Sequence, residues 1–240
     1  MHLSWAQYVV VAVTVAFGAF AQGTVGFGLN LVAAPIVGLV APRMLPAAMV
    51  LVGSPISLTI AVRERRHIDW SGVRWTTLGR VPGTLLGVVV VTAVPSRELS
   101  AVVGVVVLLA AIVSMIGNDH PITAKLSIGA GAVSGLMDTT AAVGGPPLAL
   151  LYQHQAASRV RSTLATCFLA GTVLSLTALG AAGEVEWWHV VAVTSLLPAL
   201  AIGLGLAHLA ARHLVDRSIR PAVLVFAAAA GISAIARALV

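Results

Sequence analysis

The chain has 240 residues, of which 59% are hydrophobic and only 9% are charged. A soluble domain carries about 25% charged residues, so this composition excludes an ordinary soluble protein and indicates an integral membrane protein. The net charge of +6 does not indicate nucleic-acid binding, because the basic residues fall mainly in short loops between apolar spans. The single cysteine, Cys167, excludes an intramolecular disulfide and a multi-cysteine metal site.

Membrane spans are typically apolar segments of about 20 residues, and the sequence offers candidates in two halves of similar length. The apolar segments lie near 6–27, 29–41, 43–62, 76–95, 99–117, 122–137, 141–153, 160–182, 187–209 and 218–239. The second and seventh segments are too short for a simple crossing, and each follows a glycine-rich break. We therefore predict two hairpins, 6–41 and 122–153, each made of a helix, a break and a short half-helix.

The basic residues favour one side of the membrane if each hairpin returns to the face from which it entered. The residues that then share a side are Arg63, Arg65, Arg66, Arg74, Lys125, Arg159, Arg161, Arg212, Arg217 and Arg220. The positive-inside rule predicts that this side is cytoplasmic. Three crossings follow each hairpin, and an odd number of crossings inverts the second half relative to the first.

The predicted fold is an all-α polytopic membrane protein with one membrane domain over residues 1–240. Its two inverted repeats, about 5–117 and 122–240, each hold a glycine-broken hairpin and three transmembrane helices. This gives about eight membrane segments in addition to the short half-helices. Long Gly/Ala/Val faces such as 99–112 and 222–236 suit packing within one chain or between two chains, so they are compatible with a homo-oligomer.

The two breaks carry similar motifs, GAFAQGTVGFGLNLVAAP at 18–35 and GAVSGLMDTTAAVGGPP at 131–147. The N-terminus of a half-helix offers unpaired N–H groups and a partial positive charge, which favour an anion. Asn30, Thr139 and Thr140 belong to residue types that cap helices, and they lie beside these starts. Glycines that serve only helix packing are the alternative. The repetition, with Pro closing each motif, favours a transporter's binding site.

These motifs resemble the paired glycine-rich signatures of the TauE/SafE family of sulfite exporters, and the resemblance covers essentially the whole chain. The resemblance implies an anion carrier in the cytoplasmic membrane, for sulfite, organosulfonates or related sulfur-containing anions. By position, it implies a pathway lined by Gln22, Gly23, Gly26, Gly28, Gly135, Gly144, Gly145 and Pro146. With Asn30, Asp138, Thr139 and Thr140 these residues make up the predicted substrate site. We predict no catalytic residue, metal or cofactor.

Asp138 departs from this pattern, because it stands at the position equivalent to Gly26, where a small residue would match the family. It is the only acidic residue deep in an apolar segment, and such residues are usually functional. Three roles are open to Asp138: a proton relay that couples transport to the proton gradient, a helix cap or other structural role, and altered substrate preference. Arg80 lies early in a span, where the favoured interpretation is an arginine that snorkels to the interface rather than one that binds the anion.

The predicted function is secondary transport of a small anion across the cell membrane, with a proton as a possible coupling ion. A gated anion channel built on the same broken helices is the alternative, and a membrane-embedded enzyme is a weaker one. Against an enzyme, the sequence has no HExxH motif, no paired intramembrane aspartates and no Ser–His or Cys–His pair at depth. It also lacks a Walker motif, so the chain does not itself hydrolyse ATP.

Overall fold

The computed structural model describes residues 4–95, 102, 105–109, 112 and 121–210. The predicted span 218–239 lies outside these residues, as does most of the span 99–117. The helices with defined bounds are α1 (Trp5–Val25), α2 (Leu29–Val40), α3 (Ala47–Val52), α4 (Ser54–Arg63), α5 (Trp70–Ala93), α6 (Ala124–Ala141), α7 (Gly145–Leu151), α8 (Ala157–Ala181), α9 (Trp187–Ser195) and α10 (Leu197–Ala210). Two short 3-10 turns, Pro42–Met44 and Arg65–His67, flank α3 and α4.

Three of these helices, α1, α5 and α8, are long and apolar enough to cross a membrane. Helices α9 and α10 make a fourth candidate span that is bent by 45°. The bend lies just before Pro198, which lacks the N–H of a regular helix and whose ring displaces the preceding turn. The described residues thus fit the predicted all-helical membrane protein, in which large apolar side chains such as Leu85 and Val89 on α5 face outward toward lipid.

The predicted spans 43–62 and 76–95 are among those that differ from the helices in the structure. The segment 43–62 is split into α3 and α4 at Gly53, because Pro55 occupies the first turn of α4 and cannot continue a helix from before it. Helix α5 begins at Trp70 rather than near residue 76. Its N-terminus is capped by Asp69, whose carboxylate accepts a hydrogen bond of 3.1 Å from the N–H of Gly72.

The first hairpin consists of α1 and α2, and α2 begins partway along α1. Gly26 ends α1 with φ 96° and Gly28 precedes α2 with φ 125°, two left-handed conformations that glycine adopts without strain. Leu29 then lies against Gly18, where a Cβ would overlap the Leu29 backbone. The start of α2 is therefore about 10 Å inside the C-terminal end of α1, at 1.5 Å per residue.

Helix α2 returns to the end of the bundle where α1 begins, as the hairpin prediction requires. The side-chain amide of Gln7, in the first turn of α1, donates a hydrogen bond of 3.0 Å to the carbonyl of Val40 at the end of α2. The second hairpin, α6 and α7, has the same form. Its chain turns at Ala142, with φ 58°, and the Ser134 hydroxyl donates to the carbonyl of Gly144 at 2.6 Å. The start of α7 thus lies beside the last two turns of α6.

The first helix of each hairpin packs against a helix from the other half of the sequence. A Cβ at Gly79 or Gly83 of α5 would overlap backbone carbonyls of α6, so α5 and α6 are in close backbone contact. Gly203 of α10 meets the carbonyl of Ala16 on α1 in the same way. In both pairs the residue numbers rise together along the contact, so the paired helices run parallel.

Several loops of the described chain meet at one end of the bundle, which we call the basic end. Arg161 pairs with Glu64 at 3.1 Å and Arg159 with Asp69 at 3.1 Å. Arg63 contacts His208 at 3.0 Å. These contacts bring the end of α4, the start of α5, the start of α8 and the last turn of α10 to one face, in agreement with the predicted grouping of their arginines.

Candidate functional site

A small cavity of about 40 Å³ lies where the two glycine breaks meet. A buried water needs ~10–15 Å³ on this measure, so the cavity has room for a few waters or one small anion. Residues of both breaks and of α1, α2, α3, α4, α6, α7 and α8 surround it. They are Gln22, Phe27, Gly28, Asn30, Leu31, Val50, Gly53, Ser57, Asp138, Ala142, Val143, Gly144, Gly145, Pro146, Phe168 and Thr172.

Seven of the twelve residues that the sequence predicts for the substrate site line this cavity. They are Gln22, Gly28, Asn30, Asp138, Gly144, Gly145 and Pro146. Residues from motifs more than 100 positions apart therefore come together around one space. The other five residues, Gly23, Gly26, Gly135, Thr139 and Thr140, are not among its lining residues.

The three glycines outside the cavity lie in helix contacts. A Cβ at Gly23 would overlap the side chain of Ala207 on α10, and one at Gly135 would overlap the backbone of Arg80 on α5. Gly26 faces Arg161, the arginine at the start of α8. These glycines therefore set how closely the broken helices approach their neighbours.

The residues expected to cap the half-helices form other hydrogen bonds. The Thr139 hydroxyl bonds to the Ser175 hydroxyl at 2.9 Å, and the Thr140 hydroxyl donates to the carbonyl of Leu136 at 2.8 Å within its own helix. Asn30 lies inside the first turn of α2. Its side-chain amide donates to the carbonyl of Met49 at 2.8 Å. The capping interpretation is therefore wrong for all three side chains.

The N-terminus of α2 is the stronger of the two helix ends beside the cavity. Its preceding residue, Gly28, lines the cavity, and no side chain caps the helix. The first N–H groups of a helix have no intrahelical partner and carry a partial positive charge. Helix α7 has Pro146 and Pro147 in its first turn, and proline has no N–H to donate. The donors near the cavity therefore come mainly from α2.

Polar side chains of the first half supply further contacts to the cavity. The Gln22 amide donates to the Ser57 hydroxyl at 3.2 Å, which joins α1 to α4 across the space. The side-chain oxygen of Asn30 is buried without a hydrogen-bond partner among the described residues. A buried polar atom without a partner is costly, so this oxygen has unused capacity for a water or a ligand donor.

Asp138 forms a buried ion pair with Arg80 behind the cavity wall. The guanidinium of Arg80 is fully buried and contacts the Asp138 carboxylate, and it donates a second hydrogen bond of 2.9 Å to the Ser134 hydroxyl. The interpretation of Arg80 as an interfacial snorkelling residue is therefore wrong. Gly171 on α8 leaves room for the guanidinium, because a Cβ there would overlap it.

The ion pair makes the local charge of the site neutral. A carboxylate or a guanidinium alone in the bilayer interior costs several kcal/mol, and an opposite charge in contact offsets that cost. Asp138 is 8% exposed and lines the cavity, whereas Arg80 is 0% exposed and lies behind it. Ser134 donates onward to the carbonyl of Gly144, so the pair is linked to the second break by two successive hydrogen bonds.

The sequence favours an interfacial role for Arg80 over an anion-binding one, and it marks neither Ser134 nor Gly171 as part of this site. A usable signal existed for Arg80, because two residues of opposite charge inside apolar segments usually pair. Gly171 and Ser134 carry no such signal. In the part of the chain that the structure describes, no three His, Cys, Asp or Glu side chains converge as a metal site would require.

A second polar cluster lies at the basic end and joins the two halves. Its centre, Asp69, accepts a hydrogen bond of 3.1 Å from the Tyr152 hydroxyl and pairs with Arg159, while its N–H donates to the Thr163 hydroxyl at 3.0 Å. Burial acts to raise the pKa of Asp69. The hydrogen bonds from the N–H of Gly72, Tyr152 and Arg159, with the charge of Arg159, outweigh it, so the pKa lies below its ordinary value.

Comparison with known proteins gives one match. The family model of the sulfite exporter TauE/SafE matches residues 10–234, which is nearly the whole chain. No curated protein and no solved structure matches this sequence. The match agrees with the apolar helices, and it implies a membrane transporter of the sulfite or sulfonate type. The chain is a multi-pass membrane protein that belongs to the TauE/SafE sulfite exporter family.

Proposed function

We propose that this protein is a secondary transporter that moves a small sulfur-containing anion, of the sulfite or organosulfonate class, across the cytoplasmic membrane. The anion binds in the cavity between the two glycine breaks. The observation that carries this proposal is that both predicted motifs line one small cavity beside the uncapped N-terminus of α2. Broken helices whose ends meet within the membrane are the usual construction of transporter binding sites.

The contacts around the cavity suit a small oxyanion. Free N–H groups at the start of α2 donate to it, and the hydroxyl of Ser57 and the amide of Gln22 offer further donors. The negative charge of Asp138 is offset by Arg80, so it does not by itself exclude an anion. Phe27 and Phe168 complete the wall and limit the size of the bound anion.

The proposal includes the inverted-repeat architecture with about eight membrane segments. The direction of the hairpins supports it. Helix α1 ends near Arg161 at the basic end, whereas α5 begins there at Asp69. Because α6 runs parallel to α5, the two hairpins run in opposite directions. Alternating access then follows as movement of one repeat against the other around a central site.

A channel of the same architecture is the second candidate, because the cavity lies between helix ends in either case. A carrier and a channel differ in their kinetics. A carrier shows saturable uptake and counterflow, in which unlabelled anion on one side drives labelled anion from the other. A channel shows flux that does not saturate at high anion concentration. A homo-oligomer remains a prediction.

The test is uptake of labelled anions into proteoliposomes that contain the purified protein. The panel is sulfite, thiosulfate, sulfate, methanesulfonate and a carboxylate. Ser57→Ala removes a cavity hydroxyl, and Ser54→Ala is the matched control on the same helix, because the Ser54 hydroxyl bonds to the carbonyl of Leu51 at 2.7 Å. A hydrogen bond to a charged group contributes about 1.5–3 kcal/mol, so Ser57→Ala should raise the KM at least about tenfold.

The outcomes separate the hypotheses. Saturable counterflow of sulfite or methanesulfonate, weakened by Ser57→Ala and not by Ser54→Ala, supports a carrier with its site in the cavity. Equal effects of the two serine variants on the KM would refute the cavity as the binding site of the anion. No flux of any sulfur anion by the folded wild-type protein would refute the substrate class.

A further inference from the structure

We propose that the Arg80–Asp138 ion pair couples transport to protons, with one proton bound by Asp138 for each monovalent anion bound in the cavity. This inference rests on the proposed function, since it assigns the coupling ion and the stoichiometry of the same site. It gives Arg80, the buried partner of Asp138, the role of a fixed positive charge. The step it describes is an electroneutral symport.

Without substrate, the two charges of the site cancel. Arg80 contributes one positive charge and Asp138 one negative charge, and both lie inside the helical bundle. A monovalent anion that entered alone would give the site a net negative charge in a medium of low dielectric constant, which is strongly unfavourable. An anion that enters with one proton leaves the net charge at zero. The site therefore favours the two ions together.

The positions of the two side chains fit this exchange. Asp138 lines the cavity and is the member of the pair that water can reach, whereas Arg80 is fully enclosed behind it. When Asp138 takes up a proton, its carboxyl group no longer neutralises Arg80. The positive charge of Arg80 is then available to the anion in the adjacent cavity. Release of the proton restores the ion pair and favours release of the anion.

In the described part of the chain, few other titratable groups face Asp138. Of the elements that contact α6, helix α5 contributes Arg80, and α8 contributes the buried thiol of Cys167, which interacts electrostatically with Arg80. The described residues of α3 and α7 carry no titratable side chain. On α6 itself, Ser134 bonds to Arg80 and is not titratable. Among the described residues, Asp138 is therefore the carboxylate in this region to which the proposal assigns the proton.

The test uses methanesulfonate and sulfite uptake into proteoliposomes, with the pH gradient and the membrane potential set independently. Methanesulfonate is the sharper probe, because the anion of a strong acid cannot carry the proton itself. For electroneutral symport, one pH unit should support about tenfold accumulation. A potential of 100 mV should not change this accumulation ratio. For a carrier of the anion alone, the same potential would change the ratio by roughly 50-fold. This measurement needs no variant.

Asp138→Asn tests the residue. The amide is close in shape to a protonated carboxyl group and cannot release a proton, so the variant should retain measurable counterflow and lose accumulation driven by the pH gradient. Gly180→Ala on α8, where a Cβ meets no atom within 4 Å, is the control for handling and folding. Accumulation that persists in Asp138→Asn, or wild-type accumulation that follows the potential, would overturn the coupling. Wild-type counterflow without any response to pH would also overturn it and leave the proposed transporter standing.

Discussion

Gly171→Ala is the substitution that most directly tests the buried ion pair. Gly171 lies on α8 against the guanidinium of Arg80, and a Cβ at this position would lie well inside 3.0 Å of its Nη2, Cζ and Nε atoms. The guanidinium must therefore move away from Asp138 and Ser134. Loss of a buried ion pair costs about 3–5 kcal/mol, while replacing glycine by alanine within a helix gains about 1 kcal/mol. The net effect should be a loss of about 2–4 kcal/mol.

Thermal unfolding of the detergent-solubilised protein measures this loss. For a chain of this length, 1 kcal/mol corresponds to about 2–4 °C in Tm, so Gly171→Ala should unfold roughly 4–16 °C below the wild type. Gly180→Ala on the same helix has no atom within 4 Å of its added Cβ and should unfold at or slightly above the wild-type temperature. If Gly171→Ala is as stable as Gly180→Ala, the guanidinium does not occupy the space beside Gly171, which would refute this geometry of the ion pair.

Three further predictions concern other parts of the molecule. Gly79→Ala should separate α5 from α6 and abolish transport, because its Cβ would overlap the carbonyl of Ile128. Gly129→Ala should leave uptake unchanged, because its added Cβ has no atom within 4 Å. Asn30→Asp should raise the KM for the anion at least tenfold by placing a negative charge at the start of α2, and an unchanged KM would exclude this helix end from the site. The pKa of Asp69 lies below its ordinary 3.8, so its stabilising effect is complete above that value and is lost as pH falls through the folded-state pKa. The fall in Tm between about pH 5 and 3 should therefore be smaller in Asp69→Asn, and equal slopes would contradict the assignment.

The hairpins were predictable because glycine and proline act on the backbone locally. The expected half-helix 29–41 corresponds closely to α2, since the left-handed glycines before it can be recognised from sequence. The second half-helix begins at Gly145 rather than at 141, because Pro146 and Pro147 suit the first turn of a helix and not its interior. The break at Gly53 had a comparable local signal in Pro55, but the continuous hydropathy of 43–62 led to the prediction of a single span.

The location of Arg80 could not be predicted from hydropathy alone. A span beginning near residue 76 leaves Arg80 at its fifth residue, close to the interface, where snorkelling is the expected behaviour. With Asp69 as the cap, α5 begins at Trp70, and Arg80 lies about 15 Å along the helix. Because the N-cap at Asp69 was not recognised, Arg80 was predicted at the interface although it is buried. Its contact with Asp138 depends on the parallel packing of α5 and α6, which involves residues 58 positions apart.

The site joins two features that act on an anion in different ways. The start of α2 contributes a fixed partial positive charge, which favours an anion beside it. In the proposed symport, the ion pair contributes a charge that changes when Asp138 binds a proton. Ser134 connects this pair to the carbonyl of Gly144 in the second break. In the proposed symport, a change in the charge of the pair would therefore act through Ser134 on the backbone of the second break, which lines the cavity.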